Sequence, residues 1–254
     1  LSFVTSTGKG RIEIVLKKVM SHTKLMLTNS VQSLDDNVLK EIKRRNLPLN
    51  QLQHSQTEID VDGKLSQPEC ILGLPLETRE SHLNTLRKLT KDIGANIIYQ
   101  YTLMLLPGTE IYTDRSREEY KYMVKYRLLP TSFGEYAKKR SFEIEEVSVG
   151  TKDLSLEEYL EMRTVFFMVH NIHSNVIFRP LIRYFFYLGD DAIDFFLYLL
   201  KKRLSLARDQ FPYQVIEDYL RDTKEELFDS RGELIAFYSD DKNYQDLLEG
   251  RKGV

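Results

Sequence analysis

Apolar strand-like segments alternate with helix-like segments through the first 106 residues of the chain. Residues 1–7, 24–31, 68–74 and 96–106 are rich in aliphatic and β-branched side chains. They are apolar on both faces, which is typical of strands in a parallel sheet that helices cover. We therefore predict an α/β fold around a parallel sheet, and we expect a ligand site at the carboxyl ends of its strands.

The helix-like segments carry start and stop signals. RIEIVLKKVM (11–20) has helical periodicity, and Ser33 with Asp36 has the spacing of a capping box before VLKEIKRR. Thr78 is the predicted N-cap of a further helix, and Gly94 is its predicted end. The apolar stripe of that helix consists of Leu83, Leu86, Leu89 and Ile93.

The sequence changes character near residue 112. A charged and aromatic region contains a strand-like piece at 142–149, and amphipathic helical segments dominate from Leu154 onward. His170 and His173 have i, i+3 spacing, but their neighbours are apolar, so we predict packed or capping histidines rather than metal ligands. The pattern predicts a second, mostly helical module.

Charge and cysteine content exclude several classes of function. The formal net charge of -2 gives no electrostatic basis for nucleic-acid binding. Cys70 is the only cysteine, which excludes an intrachain disulfide and any cysteine-only zinc or iron–sulfur site. Charged residues interrupt the longest apolar region, 165–200, so it is not a membrane span. We expect a cytoplasmic protein with neither nucleic-acid nor membrane partners.

Two strand-like segments end in a proline corner that an acid follows, ILGLPLET (71–78) and MLLPGTE (104–110). On its own, such a corner indicates only a turn that ends a strand. Polar residues nevertheless accompany successive strands, namely Ser30 with Gln32, then Glu69, then the corner at Pro107. Polar groups within buried strands are costly unless they are paired or used, so these residues are candidates for a ligand site.

Three segments, in this order, resemble the second half of a radical S-adenosylmethionine (radical SAM) enzyme barrel: SVQSLDDNVLKEIKR (30–44), PECILGLPLET (68–78) and YTLMLLPGTE (101–110). The resemblance is closest to the branch that often carries an N-terminal cobalamin-binding domain. It implies a partial parallel (βα) barrel, second half only, over 1–115. The mostly helical remainder, 116–254, resembles the C-terminal extension of that branch.

The resemblance also implies roles for individual residues. Gln32 matches a position that contacts the methionine part of S-adenosylmethionine, and Glu69 matches one that bonds the ribose hydroxyls. Arg44 matches a partner of the methionine carboxylate, and the backbone of Leu105 and Leu106 matches a stretch that lines the adenine. The implied cofactor-binding set is Ser30, Gln32, Arg44, Glu69, Leu105, Leu106 and Pro107.

The chemistry of these side chains supports the implied roles unequally. A carboxylate such as Glu69 accepts hydrogen bonds from a diol, and the Gln32 amide both donates and accepts. The alternative for Glu69 is a capping or salt-bridged residue. Helical periodicity turns Arg44 away from the apolar face and predicts a solvated side chain, so only the resemblance makes it a ligand residue.

The chain departs from the family pattern at two points. Leu76 stands where the family has glycine in its Gly-Leu-Pro-Gly-Glu-Thr corner, and the chain lacks the C-x-x-x-C-x-x-C motif that binds the [4Fe–4S] cluster. We expect the chain to start at the third barrel strand, with its partner N-terminal half missing. No metal or catalytic residue is then assigned, and this fragment alone is expected to bind no cofactor and to be inactive.

The resemblance implies a reaction for the full-length enzyme. S-adenosylmethionine is cleaved reductively to a 5′-deoxyadenosyl radical, which abstracts hydrogen from a small-molecule substrate, and cobalamin would allow methyl transfer. One alternative is a non-catalytic nucleotide-binding or scaffold protein with a degenerate barrel. A second alternative is an ordinary α/β phosphate-binding fold.

Overall fold

A computed structural model describes residues 4–6, 26–54, 66–208, 210 and 213–252. The chain forms two compact units, one containing 1–101 and 161–205, the other 102–160 and 206–254. The strands are β1 (Val4–Ser6), β2 (Met26–Gln32), β3 (Ser66–Leu72), β4 (Tyr99–Thr102), β5 (Val124–Tyr136) and β6 (Lys139–Ser148). The helices are α1 (Asp36–Glu41), α2 (Arg79–Arg87), α3 (Asp114–Tyr120), α4 (Leu156–Met168), α5 (Arg179–Leu188), α6 (Ala192–Lys202), α7 (Tyr213–Glu225), α8 (Arg231–Ser239) and α9 (Asp241–Leu248).

The first unit is built on a sheet whose strands follow the order of the chain, β1-β2-β3-β4. β1 pairs with β2, and β2 with β3, and both pairs are parallel. The prediction of an α/β fold around a parallel sheet is therefore confirmed for these three strands. The rest of the strand predicted at 1–7 and the helix predicted at 11–20 lie outside the described residues.

β4 is much shorter than the strand predicted at 96–106. After Thr102 the chain turns to β6 in the second unit, where the Leu105 N–H donates to the Glu146 carbonyl at 2.8 Å. The Ser148 N–H in turn donates to the Leu103 carbonyl at 2.9 Å. The backbone groups after Thr102 bond to β6, and residues 96–98 are not in a strand, so the strand predicted at 96–106 is wrong on both sides of β4.

Helix α1 is capped by Asp35, so the predicted capping box of Ser33 and Asp36 is wrong. The Asp35 carboxylate accepts hydrogen bonds from the N–H groups of Asn37 and Val38 at 2.9 and 3.1 Å. The Ser33 hydroxyl instead accepts from the Asp35 N–H at 3.2 Å. Asp35 has the extended backbone that an N-cap requires, and the helix therefore begins after it.

Helix α2 confirms its predicted start, stripe and end. Thr78 and Ser81 form a reciprocal capping box, with side chain-to-backbone distances of 3.1 and 2.9 Å. The predicted apolar stripe is buried throughout. A π-helical turn, Lys88–Asp92, extends the helix, and Gly94 follows with a φ of 72° in the left-handed region that favours glycine.

The helices of the first unit pack through aromatic and charged contacts. The rings of Phe185 in α5 and Phe195 in α6 lie 4.7 Å apart. The guanidinium of Arg87 in α2 donates to Asp194 in α6 at 2.7 Å. Among the described residues, no helix combines the length and the apolar composition needed to cross a membrane.

The second unit contains a long antiparallel hairpin, β5–β6, in a region predicted to be mostly helical. Only the strand at 142–149 was predicted there, and it lies largely within β6. Pro130 and Gly134, which weaken a strand pattern, interrupt β5 in the sequence. The core beneath the hairpin is formed by Leu128, Phe228, Leu234, Tyr238, Tyr244 and Leu247.

Candidate functional site

Gln100 shows which face of the sheet helix α2 covers. Its Oε1 lies 2.7 Å from Nε2 of His82 in α2, so the Gln100 side chain is on the α2 face of β4. Successive side chains of a strand point to opposite faces, so Tyr101 lies on the face away from α2. Tyr101 is 51% exposed, whereas its neighbour Thr102 is buried.

Glu69 lies on the same face of the sheet as Ser30 and Tyr101. Ser30 is the register partner of Glu69 across the parallel β2–β3 pair, which puts their side chains on one face. Partial burial and the charge of Glu69 raise the pKa of the Tyr101 phenol. The structure thus brings together a hydroxyl, a half-buried carboxylate and a phenol on three neighbouring strands.

Gln32 lies where β2 departs from regular geometry. The register passes from Ser30–Glu69 to Gln32–Cys70, so one extra residue, Val31, is accommodated in β2. Gln32 itself has a φ of 60°, which is uncommon for a residue other than glycine. Gln32 is the register partner of Cys70, which alternates with Glu69 along β3. The register therefore places Gln32 at the carboxyl end of β2 but does not place it on the face of Ser30 and Glu69.

Arg44 is half-buried and bonded to β2, so the solvated side chain that helical periodicity predicts is wrong. Helix α1 ends before Arg44 in a Schellman motif, in which Lys43 has a φ of 55° and the Arg44 N–H donates to the Leu39 carbonyl at 2.8 Å. This reversal turns the Arg44 side chain back to the sheet. Its Nη2 donates to the Ser30 carbonyl at 2.7 Å.

Leu105, Leu106 and Pro107 belong to the second unit. The Leu105 side chain is buried, and its N–H is bonded to the Glu146 carbonyl, whereas Leu106 is exposed. The Leu106 carbonyl accepts from both the N–H and the hydroxyl of Thr109, at 3.2 and 2.7 Å. These backbone groups are therefore engaged within their own unit.

The two proline corners adopt the same turn. The Glu77 N–H donates to the Leu74 carbonyl at 3.1 Å, and the Thr109 N–H donates to the Leu106 carbonyl at 3.2 Å. Each turn has proline at its second position and a positive φ at its third, the pattern of a type II turn. The third residue is Leu76 in one corner, with a φ of 62°, and Gly108 in the other, with a φ of 85°.

A buried ionic network behind the sheet was not predicted. Glu77 and His82 are wholly buried, with Oε1 3.0 Å from Nδ1, and the other carboxylate oxygen accepts from the Gly73 N–H at 2.7 Å. His82 also bonds Gln100. Burial alone would lower the pKa of His82, but the charge of Glu77 and the hydrogen bonds to Glu77 and Gln100 raise it. The sequence signal was a histidine on the same face as Leu86.

The side chains of His170, His173 and Cys70 are packed against other parts of the protein. His173 is buried, and its Nε2 donates to the Ala95 carbonyl at 2.8 Å; burial lowers the pKa of its ring. His170 packs against Tyr99 and Phe166. Cys70 is wholly buried, and burial followed by the charge of Glu77 raises the pKa of its thiol. In the described part of the chain, no three acidic, histidine or cysteine side chains are grouped to hold a metal ion.

Comparison with known proteins gives one partial similarity. No protein-family model matches the chain. A stretch of 93 residues, 37% of this chain, is 31% identical to the cobalamin-dependent radical SAM methyltransferase TokK of Streptomyces tokunonensis. That stretch covers 14% of the relative's length. The similarity points to the radical SAM family and agrees with the resemblance of the strand–corner segments.

Proposed function

We propose that this chain is the S-adenosylmethionine-binding part of a radical SAM enzyme. It would form the second half of a parallel (βα) barrel over 1–115, with a C-terminal extension over 116–254. The observation that carries this proposal is the 93-residue similarity to a radical SAM methyltransferase. The parallel order of β1, β2 and β3 supports it, because a barrel of βα units requires consecutive strands to be parallel neighbours.

Glu69 is the proposed contact for the ribose hydroxyls. Its carboxylate is half-buried on the sheet face away from α2, beside Ser30 and Tyr101. An ionised carboxylate accepts from both hydroxyls of a vicinal diol, and partial burial strengthens such bonds. Ser30 adds a hydroxyl that both donates and accepts on the neighbouring strand.

Arg44 and Gln32 are the proposed contacts for the methionine part. One nitrogen of the Arg44 guanidinium is used by the Ser30 carbonyl, and a guanidinium has five N–H donors in all. It therefore has donors left for a carboxylate while it stays anchored to the end of β2. Gln32 follows the bulge at the same strand end and offers both a donor and an acceptor.

The chain by itself does not fit a [4Fe–4S] cluster. Such a cluster requires several cysteine thiolates, and this chain has one cysteine, which is buried and whose thiol pKa is raised. We propose that the thiolates come from polypeptide outside these 254 residues. The role of this chain is then to bind and orient the nucleoside, while the cofactors supply the radical chemistry.

Cobalamin enters the proposal through the name of the relative. A cobalamin-dependent member of the family would transfer a methyl group to a small-molecule substrate, and we extend that possibility to the full-length enzyme. We assign no described residue to cobalamin. The adenine contacts implied at Leu105, Leu106 and Pro107 also remain predictions.

Calorimetric titration of the 254-residue chain with S-adenosylmethionine tests the proposal. The sequence led us to expect no cofactor on this chain alone, but Ser30, Arg44 and Glu69 are in place without the cluster, so we now expect it to bind the nucleoside. Glu69→Gln should weaken that binding by about 1–3 kcal/mol, because a hydrogen bond to a charged acceptor is lost. Glu119→Gln, which changes an acid of α3 in the second unit, is the matched control and should leave the affinity unchanged. Absence of binding, or equal affinity for the wild type and Glu69→Gln, would refute the proposed site.

The single buried cysteine favours one alternative, a non-catalytic nucleotide-binding or scaffold protein. The two functions differ once the chain is joined to a segment that carries C-x-x-x-C-x-x-C. After anaerobic reconstitution, a radical SAM enzyme part should retain iron and sulfide in the ratio of a [4Fe–4S] cluster. A scaffold should bind the nucleoside and retain neither.

A further inference from the structure

We propose that Tyr101 contacts the ligand and determines specificity for the sugar of a nucleoside bound beside Glu69. This inference rests on the proposed function, because it takes S-adenosylmethionine or a related nucleoside as the ligand of this sheet face. The resemblance assigns no role to Tyr101. What recommends it is its position on β4, next to β3, together with its exposure and its electrostatic interaction with Glu69.

The orientation of Tyr101 is fixed from behind the sheet. A continuous chain of hydrogen bonds joins the Gly73 N–H, Glu77, His82 and Gln100, with distances between 2.7 and 3.0 Å. This chain ties the middle of β4 to the corner that follows β3. Since Gln100 is held on the α2 face, the adjacent Tyr101 is held on the opposite face.

Tyr101 supplies chemistry that Glu69 lacks. A carboxylate only accepts hydrogen bonds, whereas a phenol both donates and accepts. A tyrosine phenol is protonated at neutral pH, and partial burial and the charge of Glu69 raise the pKa of Tyr101 further. Neighbouring strands are about 4.8 Å apart, a spacing at which one sugar ring can contact side chains from both strands.

The exposed ring of Tyr101 is a second source of affinity. About half of its surface is exposed although it lies within a strand, next to the buried Thr102. The face of an aromatic ring packs well against the apolar face of a sugar or a base. Ring and hydroxyl contributions can be separated, because Tyr101→Phe removes the hydroxyl and Tyr101→Ala removes both.

The test compares adenosine with 2′,3′-dideoxyadenosine in titrations of the full 254-residue chain. We expect Tyr101→Phe to weaken adenosine binding about three- to tenfold, as for one lost hydrogen bond, and to leave dideoxyadenosine binding unchanged. Tyr101→Ala should weaken both ligands. Tyr136→Phe, at a more exposed tyrosine of β5, is the matched control and should change neither. Circular dichroism verifies that each variant is folded.

A double variant with Glu69→Gln completes the test. If Glu69 and Tyr101 bind the same sugar, their combined loss should be smaller than the product of the two single losses. Weakening by Glu69→Gln with no effect of Tyr101→Phe would overturn this inference and leave the proposed function intact. Equal losses for adenosine and dideoxyadenosine in Tyr101→Phe would also overturn it. If the wild type binds no nucleoside, the proposed function fails and the inference fails with it.

Discussion

Leu76 has a backbone conformation that glycine adopts at lower cost. Its φ is 62° at the third position of the corner, where Gly108 stands in the equivalent turn. A left-handed conformation costs a side-chain-bearing residue about 1–2 kcal/mol. The sequence predicted the corner from Pro75, and the resemblance marked Leu76 as a departure from glycine. Neither the sequence nor the resemblance gave a reason to expect that Leu76 would keep the positive φ that glycine adopts.

Substitutions at Leu76 should reveal this cost. Leu76→Ala and Leu76→Gly both remove the side chain, but only glycine relieves the positive φ. We expect Leu76→Gly to have the higher free energy of unfolding by roughly 1 kcal/mol in urea denaturation. At Leu106, the first residue of the other turn, φ is not positive, so alanine should be more stable than glycine. The same order at both positions would contradict a strained Leu76.

The buried histidine His82 should make stability fall at alkaline pH. Its folded-state pKa is raised by Glu77 and Gln100 despite burial, above the value near 6.5 of an unfolded histidine. The stability that it contributes is fully present below about pH 6.5 and is lost as pH rises through the folded pKa. The free energies of unfolding of the wild type and His82→Gln, measured in urea, should therefore differ most at about pH 6 and less at about pH 9.

His173 is the internal contrast to His82. Burial lowers its pKa, so the folded protein keeps it neutral, and its contribution is lost as pH falls through the folded pKa. Ring nitrogen NMR shifts near pH 6.5 should report a charged His82 and a neutral His173. A neutral His82 under these conditions would contradict the ionic network.

At the scale of elements, local signals predicted what depends on local chemistry. The cap, stripe and end of α2 are all in its own sequence, and the parallel order of β1 to β3 followed from strands that are apolar on both faces. The end of α1 could not be predicted, because Lys43 has a conformation that sequence patterns assign to glycine. That single residue turns Arg44 from a solvated position to Ser30.

Glycine at position 43 should stabilise the C-terminal end of α1. Lys43→Gly relieves the positive φ and should raise the free energy of unfolding by about 0.5–1 kcal/mol. The matched control, Lys40→Gly, places glycine inside the helix at an exposed position and should lower it by about 1 kcal/mol. If both substitutions lower the free energy of unfolding in urea, the Schellman motif at the end of α1 is contradicted.

At the scale of the whole molecule, long-range contacts decide which segments belong together. Residues 161–205 return to the first unit, where Arg79 bonds both carboxylate oxygens of Glu161 at 2.6 and 2.8 Å and His173 bonds Ala95. No local pattern signals such pairings. The domain division at residue 115 therefore remains a prediction from the family resemblance.

The pair formed by Arg79 and Glu161 should contribute measurably to stability. It is bidentate and about two-thirds buried, so Arg79→Ala should lower the free energy of unfolding by about 1 kcal/mol. Arg115, which is almost fully exposed and 3.9 Å from Glu119, is the control, and Arg115→Ala should have little effect. Equal urea midpoints for Arg79→Ala and the wild type would contradict this role.

NMR chemical-shift mapping of the 254-residue chain with S-adenosylmethionine reports where the ligand binds, and it therefore tests the proposed site on the first unit. The proposed site predicts that, within the first unit, the largest amide shifts occur at Ser30, Gln32, Arg44, Glu69 and Tyr101. Glu69→Gln should reduce these shifts at equal ligand concentration. Shifts confined to other residues of that unit, or no saturable shifts at all, would show that S-adenosylmethionine does not bind at this site.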